Sequence, residues 1–103
     1  MYGPKKIGFW SSLKGNNTGK RYLFLQAGNK YRVVQPFSDY SGYLHPIGEE
    51  WMFLGYSFVP YDEGLSLFIT FNQLEEWNIP MLYNENGQQD IIESFSEYIQ
   101  LID

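Results

Sequence analysis

Trp51-Met52-Phe53-Leu54-Gly55-Tyr56-Ser57-Phe58-Val59-Pro60-Tyr61-Asp62-Glu63-Gly64-Leu65-Ser66-Leu67-Phe68-Ile69-Thr70-Phe71 is the stretch whose reading decides the fold. Its second half is plain: Leu65, Leu67, Ile69 and Phe71 alternate with Ser66 and Thr70, the period-two pattern of a strand with one buried face. Tyr61-Asp62-Glu63-Gly64 interrupts the run as a hairpin loop, with Gly64 expected to supply a positive φ. The first half, from Glu49 to Tyr61, has no polar face. Trp51, Phe53 and Val59 occupy odd positions, and Met52, Leu54, Tyr56 and Phe58 occupy even ones. Such a strand is either covered on both sides or bent round a corner, and Gly55 is well placed for the bend.

Toward the N-terminus the pattern repeats in shorter pieces. Arg21 to Gln26 and Lys30 to Phe37 read as two strands joined by the turn at Ala27-Gly28-Asn29. Residues 1–19 are broken by Gly3, Pro4, Gly8, Gly15, Asn16, Asn17 and Gly19, yet carry Ile7, Phe9, Trp10 and Leu13 to bury. They read as a partly ordered basic arm with one short strand, ahead of a single domain over 20–103.

Toward the C-terminus, residues 72–77 read as irregular, and Asn78 to Tyr83 contains Pro80, which places any strand there at a sheet edge. From Gln88 the period changes. Ile91, Ile92, Phe95, Ile99 and Ile102 form one stripe of a 3.6-residue helix over about 87–102, with Asn84 or Asn86 as its cap. The expected fold is mainly β: a small SH3-like bent sheet or barrel of five to six short antiparallel strands with one C-terminal α-helix.

Composition agrees with a packed domain and narrows its chemistry. The 103 residues are 44% apolar and 19% aromatic, with only 18% charged, against about 25% in an average domain. Zero cysteines exclude a disulfide framework, a thiolate metal site and a cysteine nucleophile. The longest uncharged apolar stretch is far short of the roughly 20 residues that span a bilayer, and the start is too polar for a signal-peptide core, so the expectation is a cytoplasmic protein away from membranes. The net charge of −5 is unevenly laid out: all seven basic residues lie in the first 32 positions and all twelve acidic residues from Asp39 onward. These halves attract each other within one chain, and the same complementarity would serve a head-to-tail homodimer.

Little in the sequence carries reaction chemistry. His45 is the only imidazole, so a two-histidine metal site and a histidine relay are excluded within one chain. It pairs with Glu49 as a general base only if the 38–48 excursion brings the two together, and a histidine beside a turn more often serves structure. Adjacent acids such as Glu49-Glu50, Asp62-Glu63 and Glu75-Glu76 point to opposite faces of a strand and do not converge by spacing. No phosphate-binding loop, metal site or cofactor motif is present, and no catalytic residue is assigned. Trp51, Phe53, Phe58, Phe68 and Phe71 read as core, whereas Tyr40, Tyr43, Tyr56 and Tyr61 sit in or near turns, where an amphipathic ring serves as a contact surface.

Leu25-x-x-Gly28-x-x-Tyr31-x-Val33, Phe37-x-Asp39-x-x-Gly42, His45-x-x-Gly48-Glu49-x-Trp51-x-Phe53 and Phe58-x-Pro60-Tyr61-x-x-Gly64-Leu65-x-Leu67-Phe68 together resemble a small bacterial family of domains of unknown function. The resemblance runs over about residues 22–100, leaves residues 1–19 without a counterpart and assigns no activity. The opening motif is similar to the start of SH3-like barrels, an analogy of fold only. The expected function is a non-enzymatic protein-binding module, including the immunity or inhibitor type, which meets an unidentified protein partner through Tyr40, Tyr43, His45, Glu49, Tyr61 and Asp62. Two alternatives stand beside it. One is a nucleic-acid module using Lys20, Arg21, Lys30 and Arg32, with Tyr22 or Tyr31 stacking on bases, disfavoured by the acidic body. The other is a small enzyme using His45 with Glu49.

Overall fold

The computed structural model describes residues 1–12, 14–85 and 87–102. In chain order the elements are β1 (Tyr2–Lys6), β2 (Thr18–Gly19), β3 (Arg21–Tyr22), β4 (Leu25–Gln26), β5 (Lys30–Val33), β6 (Phe37–Ser38), β7 (Leu44–His45), β8 (Glu50–Val59), β9 (Gly64–Thr70), β10 (Glu75–Leu82), α1 (Gln88–Glu93), α2 (Phe95–Tyr98) and β11 (Ile99–Leu101). The fold is mainly β and antiparallel. One sheet runs in the order β1-β10-β9-β8-β5-β11, with β2 added against the far half of β8, while β3–β4 and β6–β7 form separate two-stranded pairs.

The apolar character of both faces of β8 has a structural cause. The register passes from Phe53 opposite Ile69 to Gly55 opposite Phe68, so one extra residue on β8 is absorbed as a bulge. That residue reverses the parity of the strand. Trp51 and Phe53 face the core before the bulge, and Tyr56 and Phe58 follow, directly opposite the buried Leu67 and Leu65. Gly55 is required here because a Cβ at this position would lie 2.8 Å from the carbonyl oxygen of Gly19 on the neighbouring β2. Backbone cannot yield as a side-chain tip can, so Gly55→Ala is expected to destabilise the domain by about 1–3 kcal/mol, the usual range for overpacking. Urea denaturation checks this: the midpoint falls while the slope stays constant.

The core joins Leu25, Tyr31, Val33, Phe53, Leu65, Leu67, Ile69, Ile79, Ile92, Phe95 and Ile99, among others. Of the rings assigned to it from sequence, Phe71 is instead 42% exposed, packed edge-on against Trp77 at the end of β9. The single helix expected over 87–102 is two short helices followed by a strand. At Ser94 the backbone leaves the helical region (φ −119°, ψ 27°). Beyond Tyr98 the chain gains more by pairing Ile99–Leu101 with the open edge of β5 than by another unsupported helical turn. Gly87 stands at the start of α1 without a side-chain cap; of the two candidate caps, Asn86 lies outside the described residues, as does Leu13.

Two further differences concern turns, while Pro80 holds the edge position expected of it. The run Arg21–Gln26 is a tiny hairpin, β3–β4, turned through Leu23 at φ 53°. In the β8–β9 hairpin the positive φ belongs to Glu63 (φ 57°), and the Gly64 amide instead donates to Asp62 Oδ1 at 3.0 Å. Pro80 lies inside β10, but β1 covers β10 only from Glu75 to Asn78, so at the proline the sheet has a neighbour only on the β9 side. The free Pro80 carbonyl accepts a hydrogen bond from the Tyr40 amide at 2.8 Å, which ties the 38–48 excursion to the sheet.

The N-terminal segment is bound into the same structure. β1 pairs with β10, and Lys5 and Lys6 stand opposite Glu76 and Glu75. The following turn wraps over the buried Glu76 carboxylate, which accepts from the amides of Gly8 (2.8 Å), Trp10 (2.7 Å) and Ser11 (3.0 Å) and from the Ser11 hydroxyl (2.6 Å). Trp10 then stacks parallel on Phe68 with ring centres 6.3 Å apart.

Candidate functional site

The 38–48 excursion is built round one buried side chain. β6 and β7 pair Phe37 with His45, which turns the imidazole inward until it has no exposed surface. Asp39 follows β6, and its Oδ1 accepts from the Ser41 amide (2.9 Å), the Ser41 hydroxyl (2.6 Å) and the Tyr43 amide (3.3 Å), closing the loop on itself. Its other oxygen, Oδ2, lies 2.7 Å from His45 Nε2. On the far side of the ring, Glu49 Oε1 lies 2.6 Å from Nδ1 and accepts from Trp51 Nε1 at 3.2 Å. Gly48, at φ 93°, makes the turn that returns the chain so that Glu49 reaches His45 four residues back. Phe37 stacks on the imidazole at 4.7 Å and Tyr43 meets it edge-on at 4.8 Å.

This geometry fixes the charge state. A neutral imidazole donates from one nitrogen only, and here both nitrogens face carboxylate oxygens, so the ring is held as the imidazolium. Burial opposes that charge, but hydrogen bonds to Asp39 and Glu49 and the field of both carboxylates outweigh it, raising the His45 pKa above 6.5. For Asp39 burial is again the opposing influence. Hydrogen bonds from His45, the Met1 ammonium at 2.7 Å and Ser41 hold its carboxyl well below the ordinary range. Two carboxylates, one imidazolium and one ammonium therefore balance in a nearly dry cluster.

The signs give a pH prediction. His45, with its pKa raised on folding, contributes stability that is full below about pH 6.5 and is lost as pH rises through its folded value. Asp39, with its pKa lowered, contributes stability that is full above 3.8 and is lost as pH falls through its folded value. The melting temperature is thus expected to be highest between about pH 4 and 6.5 and to decline from neutrality into the alkaline range; removing His45 should abolish the alkaline limb attributable to this ring. Differential scanning calorimetry across pH 4–10 checks both points.

As chemistry, the cluster is closed. The carboxylates lie on opposite ring nitrogens and do not converge on a shared point, and among the described residues no group of three or more His, Cys, Asp or Glu is placed to hold a metal ion. Of the residues singled out from sequence, His45 and Glu49 meet directly and Tyr43 covers them. Asp39, the partner that completes the cluster, stood in sequence only within the Phe37-x-Asp39-x-x-Gly42 motif, with no role assigned. Tyr40 and Asp62 both line a separate surface groove of about 510 Å³, with Val59, Leu65, Pro80 and Met81. Tyr61 stands beside it on the hairpin loop, 91% exposed. Of the residues named for a nucleic-acid surface, Tyr31 is buried with its hydroxyl between the Gln26 amide and the Phe24 carbonyl, and Arg32 pairs with Glu50 at 2.7 Å. Among the described residues no helix is long and apolar enough to cross a membrane.

No curated protein matches the chain. A solved structure, described as an integron cassette protein from the mobile metagenome of Vibrio cholerae, is similar over 82% of this chain and 92% of its own, with 34% identity and a TM-score of 0.77. The family described as a domain of unknown function (DUF3601) matches residues 11–103, nearly the whole chain with all its sheet except β1, and the chain belongs to that family.

Proposed function

We propose that the protein is a non-enzymatic binding module that takes a protein partner across the groove between the 38–48 excursion and the 61–63 loop. One observation carries the reading: a surface loop is fastened from beneath by an ionic cluster centred on the buried His45 and Asp39, and its outward side chains are apolar. Tyr40 is 54% exposed, Leu44 56% and Ile47 66%, on a loop of about ten residues. Exposed apolar side chains on a rigid loop gain contact area with little ordering cost, the property that favours tight association. The surrounding body is acidic, so the partner face that fits carries basic residues round an apolar anchor, as an immunity or inhibitor protein would require of its target.

Both nitrogens of His45 are committed and the ring is shielded from solvent, which supports a structural and not a catalytic use. The test is affinity capture from native extract with the wild-type chain and a Tyr40→Ala/Tyr61→Ala variant of unchanged circular dichroism and melting temperature. A discrete protein held by the wild type and lost by the variant supports the reading. Equal capture by both, or retention of nucleic acid with the steep salt dependence of phosphate contacts, overturns it.

A further inference from the structure

The parity reversal at the β8 bulge has a second consequence, away from the loop surface. It aims Tyr56 and Phe58 along the core face toward the open end of the sheet, where Tyr22 of β3 and Tyr83, just past β10, stand beside them. Among the described residues, these four rings and Asn17 line a pocket of about 200 Å³. Tyr22 and Tyr56 lie 5.0 Å apart at 50°, and Phe58 and Tyr83 lie 6.5 Å apart at 81°. The rings therefore present faces from several directions instead of stacking shut. None of the five lining residues carries a formal charge.

We infer that this pocket is a binding site for a small organic cation with a quaternary ammonium head. Ring faces carry negative electrostatic potential and attract a cation placed over them. At longer range the net charge of −5 favours a cation over an anion, against the nearer Lys20 and Arg21 beside Tyr22, so the attraction rests on the rings. The choice of a quaternary over a primary ammonium follows from hydrogen bonding. A primary ammonium entering the pocket would give up water from three N–H groups and, among the described lining residues, find neutral oxygens and no carboxylate to compensate. A quaternary head has no N–H to satisfy. The inference does not depend on the loop surface and survives if that reading fails.

The test uses choline and its uncharged isostere 3,3-dimethylbutan-1-ol, titrated into the full chain and followed by two-dimensional NMR. Choline is expected to shift the resonances of Tyr22, Tyr56, Phe58 and Tyr83 saturably and to bind about tenfold more tightly than the isostere, a ratio within the range for cation–π attraction. Tyr83→Leu and Tyr22→Leu, made separately in case one impairs folding, should each weaken choline binding severalfold while leaving the affinity for the isostere nearly unchanged. Equal affinity for the two compounds would reduce the site to an apolar hollow and overturn the inference. So would choline shifts confined to residues elsewhere, or no saturable shift at all.

Discussion

His45→Gln is expected to be the most destabilising single substitution of a polar residue in this protein. The imidazolium is the counter-charge for two carboxylates, one on each ring nitrogen, at 2.6 and 2.7 Å. Glutamine is close in volume but neutral, and its amide cannot donate to both sides of the cavity at once. Asp39 would retain the Met1 ammonium, while Glu49 would lose its counter-charge and keep the neutral bond from Trp51. Removing one partner of a buried ion pair costs about 3–5 kcal/mol, because a charge is left in a poorly solvated place. Each kcal/mol moves the melting temperature of a domain this size by about 4–8 °C, so a fall of more than about 12 °C is expected. The cause is separable from lost packing. Adding Glu49→Gln to His45→Gln should restore part of the loss, since it removes the stranded charge, whereas two independent packing defects would add. A His45→Gln protein within about 1 kcal/mol of wild type in urea denaturation would show that the ring is not the keystone of the excursion.

The same cluster shows how far the sequence could be read. The spacing of His45, Gly48, Glu49, Trp51 and Phe53 now has a reason at each position: ring, turn, carboxylate, carboxylate partner and core. The proximity of His45 to Glu49 was legible because a glycine turn four residues long can close it. Asp39 was not, since an aspartate before Ser41 and Gly42 has an adequate local explanation as a turn former, and its approach to His45 depends on pairing of β6 with β7. The β8–β9 hairpin was visible from the Tyr61–Gly64 turn and the alternation of its second strand. The bulge announced itself only as a strand without a polar face, because a reversal of parity at Gly55 looks, in one dimension, like hydrophobicity on both sides. The aromatic pocket was hidden for the same reason: Tyr22, Tyr56, Phe58 and Tyr83 come from three separate segments and share no spacing. The C-terminal stripe was read correctly as apolar residues to be buried. Its helical period failed after Ser94 because Ile99 found a strand edge, a tertiary choice that local periodicity does not carry.

Glu76 is where the sequence was least informative and where a second large effect is expected. As one of two adjacent acids in a stretch read as irregular it had no distinguishing mark, yet it is fully buried and gathers four donors from residues 8–11 onto one carboxylate. Burial works against its charge, but the bonds from Ser11, Gly8 and Trp10 prevail and hold its pKa below 4.5. Glu76→Gln preserves shape and removes that match: either amide orientation turns an N–H₂ group toward two donors. At about 1–3 kcal/mol for each buried donor left unpaired, the loss is expected to reach at least about 2 kcal/mol. It should be local in character, because these bonds fasten the turn and Trp10 to the outer face of the sheet and not the sheet to itself. Hydrogen exchange should therefore accelerate at Gly8, Trp10 and Ser11 by about 30-fold or more, the equivalent of 2 kcal/mol, while β8 and β9 change far less. The sign of the pKa shift adds a second check. A carboxylate depressed on folding contributes stability that is full above its ordinary value and is lost as pH falls through its folded one, so in wild type the segment should stay docked until pH has fallen below 4.5, and in the variant this acid-dependent release should be absent. Uniform acceleration across the sheet, or none at residues 8–11, would mean that the segment is held by the β1–β10 pairing and the Trp10–Phe68 stack instead.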